Sequence, residues 1–214
     1  MNSVRPLWDF ANRLAAALAL LVLSPVSLVI AGWIRVADGR GVLFVQERAG
    51  RDGVPFRMVK FRSMVPDSVA LSARLGITDP FGLVENDPRI TRCGRFLRRT
   101  SLDELPQLIN VVRGQMWLAG PRPDVLPQVT NYTAVDRRRL EVKPGITGWA
   151  QVNGRDDIDW PQRFELDRWY IDNWSPALDL RIIWRTFASL HRGEPPVHVD
   201  ELNIRRAGDV RRAA

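Results

Sequence analysis

The stretch from Leu14 to Trp33, LAAALALLVLSPVSLVIAGW, carries no charged residue. About 20 residues rising ~1.5 Å each make ~30 Å of helix, the thickness of a bilayer's hydrocarbon core. A cleaved leader fits poorly, because the run is long for such a segment and no small-x-small site follows it before Arg35. Ser24-Pro25 stands in its middle. Proline removes a helical hydrogen bond and costs about 3 kcal/mol in an unsupported helix. A break there leaves two arms of about ten residues, each ~15 Å long and one leaflet deep. The Ser24 hydroxyl is the local candidate to satisfy a carbonyl freed at the bend. Arg5 and Arg13 precede the run, and Arg35 and Arg40 follow it. This symmetry orients no single span but suits a hairpin that enters and leaves on one face. On composition, a straight bitopic helix and a re-entrant hairpin stand level.

The other residues bound the chemistry. Of 214 residues, 31 are Lys or Arg and 24 are Asp or Glu, a net charge of +7. That balance points to an anionic partner: nucleic acid, an acidic membrane surface or a phosphorylated substrate. Cys93 is the single cysteine, and His191 and His198 are the two histidines. A disulfide framework and a cysteine-rich zinc site are therefore excluded, and a histidine-based centre is disfavoured. Any catalysis must rest on carboxylates and arginines.

Periodicity and turn signals predict an α+β fold: a small, mostly helical domain with a short β-hairpin. Val42 to Glu47 and Phe56 to Arg62 bracket Ala49-Gly50-Arg51-Asp52-Gly53 as the hairpin. Residues 65–88 read as helix and loop, Thr91 to Arg99 as a basic helix, Leu105 to Val112 as a second helix and Met116 to Ala119 as a short strand. Asn131 to Glu141 reads as a polar helix and Thr147 to Val152 as a strand. Asp159-Trp160-Pro161 and Ser175-Pro176 each open a helix. In the last helix Leu180, Ile183, Trp184 and Phe187 recur at helical spacing, beside Arg181 and Arg185. This pattern suits packing on the core, interfacial docking with indoles at headgroup level, or both. The expected organisation is a membrane segment over 1–36, a cytoplasmic domain over 37–192 and a flexible tail over 193–214.

Between Arg89 and Arg122 lie seven arginines, at 89, 92, 95, 98, 99, 113 and 122, against only Asp103 and Glu104. Arg92, Arg95 and Arg99 share one helical face, with Arg98 beside it. A solvated basic face explains such a run as well, and Ser101 with Glu104 has the spacing of a capping box. Taken together the parts suit a phosphate site. A helix N-terminus presents free N–H groups, and arginines clamp phosphate oxygens. A carboxylate held among them stays ionised as a nucleophile or metal ligand. No glycine-rich nucleotide fingerprint occurs.

Four motifs then stand in order: KFRSM (Lys60 to Met64), SLDELPQLINV (Ser101 to Val111), GPRP (Gly120 to Pro123) and KPGITGWAQVNGR (Lys143 to Arg155). With them the chain resembles, from about Val4 to His191, the bacterial sugar transferases, the monotopic phosphoglycosyl transferases acting on polyprenyl phosphate. It has the form of their minimal members. The resemblance implies transfer of a sugar-1-phosphate from a UDP-sugar to undecaprenyl phosphate with release of UMP, at the cytoplasmic face of the bacterial inner membrane. It implies Asp103 as nucleophile forming an aspartyl-phosphosugar, and Glu104 as its partner, the two holding Mg²⁺. It also implies Arg98 at the catalytic site, Lys60 and Arg122 (between Pro121 and Pro123) at substrate phosphate, and Arg155 at the nucleotide diphosphate. Ser24-Pro25 becomes the break of a re-entrant helix. The implied partners are the UDP-sugar, polyprenyl phosphate and inner-membrane lipids, with no nucleic acid and a homodimer left open. Two positions depart from the family pattern: Gln115 stands where Asp is usual and Trp117 where Ser is usual. A membrane-tethered binder of nucleic acid or acidic lipid is the competing class, distinguished by steep salt dependence without UMP release.

Overall fold

The long apolar segment dictates the architecture. In a computed structural model, which describes residues 4–76, 87–154 and 158–192, it forms α1 (Val4–Ala37). Only a narrow stripe of α1 faces protein: Asn12, Ala16, Ile30 and Ile34 are buried, while Leu21, Val22, Leu28 and Val29 are each more than 70% exposed. The helix is long and apolar enough to cross a membrane. The expected break at Ser24-Pro25 is corrected, because the helix runs on through Pro25. Proline has no N–H for the Leu21 carbonyl, and the Ser24 hydroxyl donates to that carbonyl instead, at 2.8 Å. The freed acceptor is thus satisfied within the turn.

The globular part rests along one side of α1 and holds both of its halves. Near the N-terminus the Trp8 indole donates to Asp179 at 2.7 Å, and Asn12 Oδ1 accepts the Leu118 N–H at 2.9 Å. Asp9 takes the Trp117 indole at 2.9 Å and pairs with Lys143. Beyond Pro25, Ile30 and Ile34 join Phe61, Cys93 and Leu97 in a core cluster, against which Leu102 and Leu105 also pack.

Strands β1 (Leu43–Ala49) and β2 (Pro55–Phe61) form the predicted antiparallel hairpin, with Phe44 opposite Lys60 and Arg48 opposite Phe56. Its turn uses the left-handed region at Asp52 and Gly53 (φ 57° and 75°). Next come α2 (Ser68–Arg74), α3 (Arg92–Arg99), a 3₁₀ segment Leu102–Gln107 and α4 (Leu108–Val112). Asn110 on α4 is fully buried and locks β2 in place. It accepts the Val59 N–H at 3.0 Å and donates to the Arg57 carbonyl at 2.7 Å and to Gln115 at 2.8 Å.

A second, parallel pair joins β3 (Trp117–Ala119) to β4 (Gly145–Thr147). Between them lie α5 (Leu126–Val129) and a 3₁₀ segment Asp136–Glu141; α6 (Trp149–Val152), α7 (Trp160–Asp172) and α8 (Pro176–Arg192) complete the described chain. Two expectations are corrected here. The strand expected over Thr147 to Val152 is a strand end followed by α6, because Gly148 breaks the extended run against the Gly120 backbone. The polar helix expected over Asn131 to Glu141 shortens to its 3₁₀ end, where Arg139 turns inward to buried carboxylates. Asp159 caps α7 through the Gln162 N–H, as predicted. On α8 the face carrying Leu178, Asp179 and Ile182 is buried, leaving Leu180, Trp184 and Phe187 exposed. The tail expectation over 193–214 lies outside the described residues.

Asn110→Ala leaves the Val59 N–H and the Arg57 carbonyl buried and unpaired, at about 1–3 kcal/mol each. Thermal unfolding in detergent should therefore fall by roughly 5–15 °C. A Tm within 2 °C of wild type, within roughly 1 kcal/mol for a chain this size, contradicts the role given to Asn110.

Candidate active site

The dyad sits where the chain passes from α3 into the 3₁₀ segment. Ser101 takes a left-handed conformation (φ 56°) and makes no side-chain cap there, so the capping-box reading of Ser101 and Glu104 is corrected. The tight turn drives Leu102 and Leu105 onto α1 and places the Asp103 carboxyl inward, 6% exposed. Burial raises the Asp103 pKa and the neighbouring Glu104 charge adds to the rise; Lys60, Arg98 and Arg122 oppose it. Those three cations come from separate elements, and their fields converge on one carboxylate.

Each cation is aimed by a specific device. Lys60 leaves β2 on the same face as Phe44, its ammonium 5.4 Å from that ring's centre. Burial and the nearby Arg122, Arg98 and Arg48 push its pKa down to about 8, against the pull of Asp103. Arg98 donates through Nε to the Ser63 hydroxyl at 2.9 Å. Helix α3 can come that close to Ser63 only because residue 94 is glycine; a Cβ there would overlap the Ser63 carbonyl. Arg122 binds Glu104 at 2.7 Å.

The Gly120-Pro121-Arg122-Pro123 loop is held from both sides. Gly145 N–H donates to the Pro121 carbonyl at 3.0 Å and Gly120 N–H to the Thr147 carbonyl at 2.9 Å. Glycines at 120, 145 and 148 allow backbones to touch where any side chain would collide. On the other flank Arg139, buried between Asp124 and Asp167, donates to the Arg122 carbonyl at 3.2 Å and lies 4.5 Å from the Phe164 ring centre. Pro121 and Pro123 thus stiffen a loop whose carbonyls are already committed, leaving the Arg122 side chain to face Glu104.

Sequence reasoning missed Arg48. It donates to the Pro123 carbonyl at 3.1 Å and to Gln46 at 2.8 Å, while its buried Nε has no partner among the described residues. Burial, with Arg122 nearby, pushes its pKa down to about 10. The hairpin register was the available signal, since Arg48 and Lys60 are in facing strands. Conversely, Arg92, Arg95 and Arg99 lie on the other face of α3 and do not join the site. Arg155 lies outside the described residues. Gln115 and Trp117 lie away from the dyad, bonded to Asn110 and Asp9.

The arrangement suits an anionic phosphorus centre. One inward carboxylate is surrounded by cations, and a second is held 2.7 Å from a guanidinium. Among the described residues no group of three His, Cys, Asp or Glu side chains could hold a metal by itself. Two adjacent carboxylates still fit a Mg²⁺-type ion, which takes one or two carboxylates and completes its shell with water and substrate phosphate.

The model of the family described as "Bacterial sugar transferase" matches residues 4–193. The chain is 44% identical over 199 residues to an uncharacterized sugar transferase EpsL of Bacillus subtilis, covering 92% of this chain and 94% of that protein. It is 42% identical over 176 residues to an undecaprenyl-phosphate galactose phosphotransferase of Salmonella typhimurium, covering 78% of this chain and 37% of that one. It is 43% identical over 182 residues to a UDP-glucose:undecaprenyl-phosphate glucose-1-phosphate transferase of Escherichia coli, covering 80% and 37%.

Lys60 and Lys143 are the only lysines. Reductive ¹³C-methylation labels these two lysines and the N-terminal amine, and the signal that vanishes in Lys60→Arg should titrate near pH 8, as the Lys60 environment dictates. If that signal titrates in the ordinary lysine range, about 10.4, the cationic cluster is contradicted.

Proposed function

From the premise that the chain belongs to the bacterial sugar transferase family, we propose that it transfers a sugar-1-phosphate from a UDP-sugar to undecaprenyl phosphate, releasing UMP, through a covalent intermediate on Asp103. The observation that carries this reading is the inward Asp103 carboxylate facing Lys60, Arg98 and Arg122. The relative from Salmonella is named an undecaprenyl-phosphate galactose phosphotransferase, and the one from Escherichia a UDP-glucose:undecaprenyl-phosphate glucose-1-phosphate transferase.

In the first half-reaction an Asp103 oxygen attacks the donor's β-phosphorus, and the bond to the bridging oxygen breaks so that UMP leaves. In the second, an oxygen of the lipid phosphate attacks the same phosphorus and breaks its bond to Asp103. Both steps bring anion against anion, and Lys60, Arg98, Arg122 and Arg48 lower that repulsion. Because a carboxylate is the nucleophile, no histidine base is required. When bound, Mg²⁺ would be held by Asp103 and Glu104 and would neutralise diphosphate charge.

The membrane geometry belongs to the same proposal. Both halves of α1 are fastened to the globular part, which suits a helix embedded in the leaflet on the domain's side, here the cytoplasmic face of the inner membrane. The exposed Leu180, Trp184 and Phe187 of α8, next to Arg181 and Arg185, suit an interfacial helix. Leu102 and Leu105 seat the dyad on the Ile30–Ile34 turn of α1, near the end of the apolar run. A lipid phosphate at headgroup depth can then reach the site while its tail stays in the bilayer.

Incubation with donor and Mg²⁺ but no lipid acceptor should add one hexose-phosphate-type mass to the intact protein. Asp103→Asn should show no adduct and lose about 10³-fold or more in turnover, the scale of removing a nucleophile. Full turnover by Asp103→Asn refutes the assignment. The rate should fall with rising pH as Lys60 loses its charge near 8, and fall on the acid side as Asp103 protonates, above the ordinary aspartate range. Lys60→Arg keeps its charge through this window, so the alkaline fall should move to higher pH. An unmoved alkaline limb contradicts the part given to Lys60.

A further inference from the structure

Helix α3 has two faces with different tasks. Arg98 points to the site and Cys93 and Leu97 are buried against α1. At about 100° per residue, Arg92, Arg95, Phe96 and Arg99 fall within an arc of roughly 100° on the opposite side. Arg92, Arg95, Phe96 and Arg99 are all exposed. No acidic residue occurs in α3, and among the described residues none of these three guanidinium groups has an ion-pair or hydrogen-bond partner. Arg89, nearby in sequence, is instead consumed by a buried pair with Asp87 at 2.7 Å.

The same face touches the end of the apolar helix. The Phe96 ring meets Trp33 edge-on at 5.5 Å, and Trp33 is 42% exposed at the close of the uncharged run. Indoles at that position favour the headgroup level, and arginines beside them can keep their stems in the interface while their guanidinium groups face phosphate. From this juxtaposition the geometry points to the Arg92–Arg95–Arg99 face of α3 as a docking surface for anionic phospholipid headgroups, continuous with the membrane-facing side of α1. It rests on the membrane placement proposed above and goes beyond the transfer reaction. The charge complementarity is one-sided, and the covered species is bulk lipid rather than the substrate, because the three side chains face away from Asp103. Since α3 also carries Arg98, lipid bound on one face fixes the height of the catalytic arginine on the other.

The test uses the full chain reconstituted in phosphatidylcholine vesicles containing phosphatidylglycerol. Spin-labelled versions of each lipid report which is held next to the protein. The wild type should prefer the phosphatidylglycerol probe, and Arg92→Gln/Arg95→Gln/Arg99→Gln should reduce that preference at least about threefold, since each basic residue near an anionic surface is worth about 1 kcal/mol. The corresponding triple lysine variant should retain it, which separates charge from misfolding. High salt should abolish the difference between wild type and glutamine variant. A glutamine variant with the wild-type preference, or a lysine variant that loses it as fully as the glutamine variant does, overturns the inference. UMP release is followed in the same vesicles, where its absence from the wild type counts against the proposed reaction and leaves the lipid result readable on its own.

Discussion

A carboxylate withdrawn from water keeps its charge only if positive charge surrounds it, and the rest of this structure follows from meeting that condition at Asp103. Burial and Glu104 drive its pKa upward, and Lys60, Arg98 and Arg122 pull it back. The three cations repel one another, and burial together with that repulsion lowers the pKa of Lys60. They stay together because each is fastened by its own element. Asn110 holds β2 against α4, Gly94 admits α3 to Ser63, and the glycines at 120, 145 and 148 zip the Arg122 loop to β4. The site is therefore an electrostatically strained cluster kept in place by unstrained packing, and a phosphate group would relieve the strain by accepting the positive charge.

The apolar helix is the second constraint, and it is joined to the first through two leucines. Leu102 and Leu105 flank the dyad and pack where Ile30 and Ile34 of α1 meet Phe61 and Leu97. At the other end, Trp8, Asp9 and Asn12 fasten α1 to Asp179, Trp117, Lys143 and Leu118. A segment apolar enough for lipid is thus also a wall of the globular part. The Asp103 carboxylate therefore lies close to the apolar helix, across the packing of these two leucines.

Much of this was legible in the residues, because local signals governed it. The hairpin, α3, the Asp159 cap and the helix opening at Pro176 follow from turn and cap chemistry that tertiary contacts did not override. Motif order pointed to Asp103, Glu104 and Arg122 as a group, and the fold brings them together. Other features depended on contacts distant in sequence. Arg48 resembles any strand arginine until β1 folds over the Pro123 carbonyl. Asn110 reads as a polar residue on a short helix, yet it satisfies the β2 backbone. The extended reading of Thr147 to Val152 failed because Gly148 packs on Gly120, a contact that strand propensity cannot register. At Pro25 the helix continues because the neighbouring Ser24 hydroxyl supplies the donor that proline lacks.

In the proposed reaction the phosphosugar passes through a bond to Asp103 before any lipid takes part. Exchange of isotope from labelled UMP into the UDP-sugar, measured with no polyprenyl phosphate present, tests it directly. The wild-type chain should catalyse this exchange and Asp103→Asn should not. No exchange by a wild-type preparation that turns over fully once lipid is added would show direct transfer between the two substrates and contradict it.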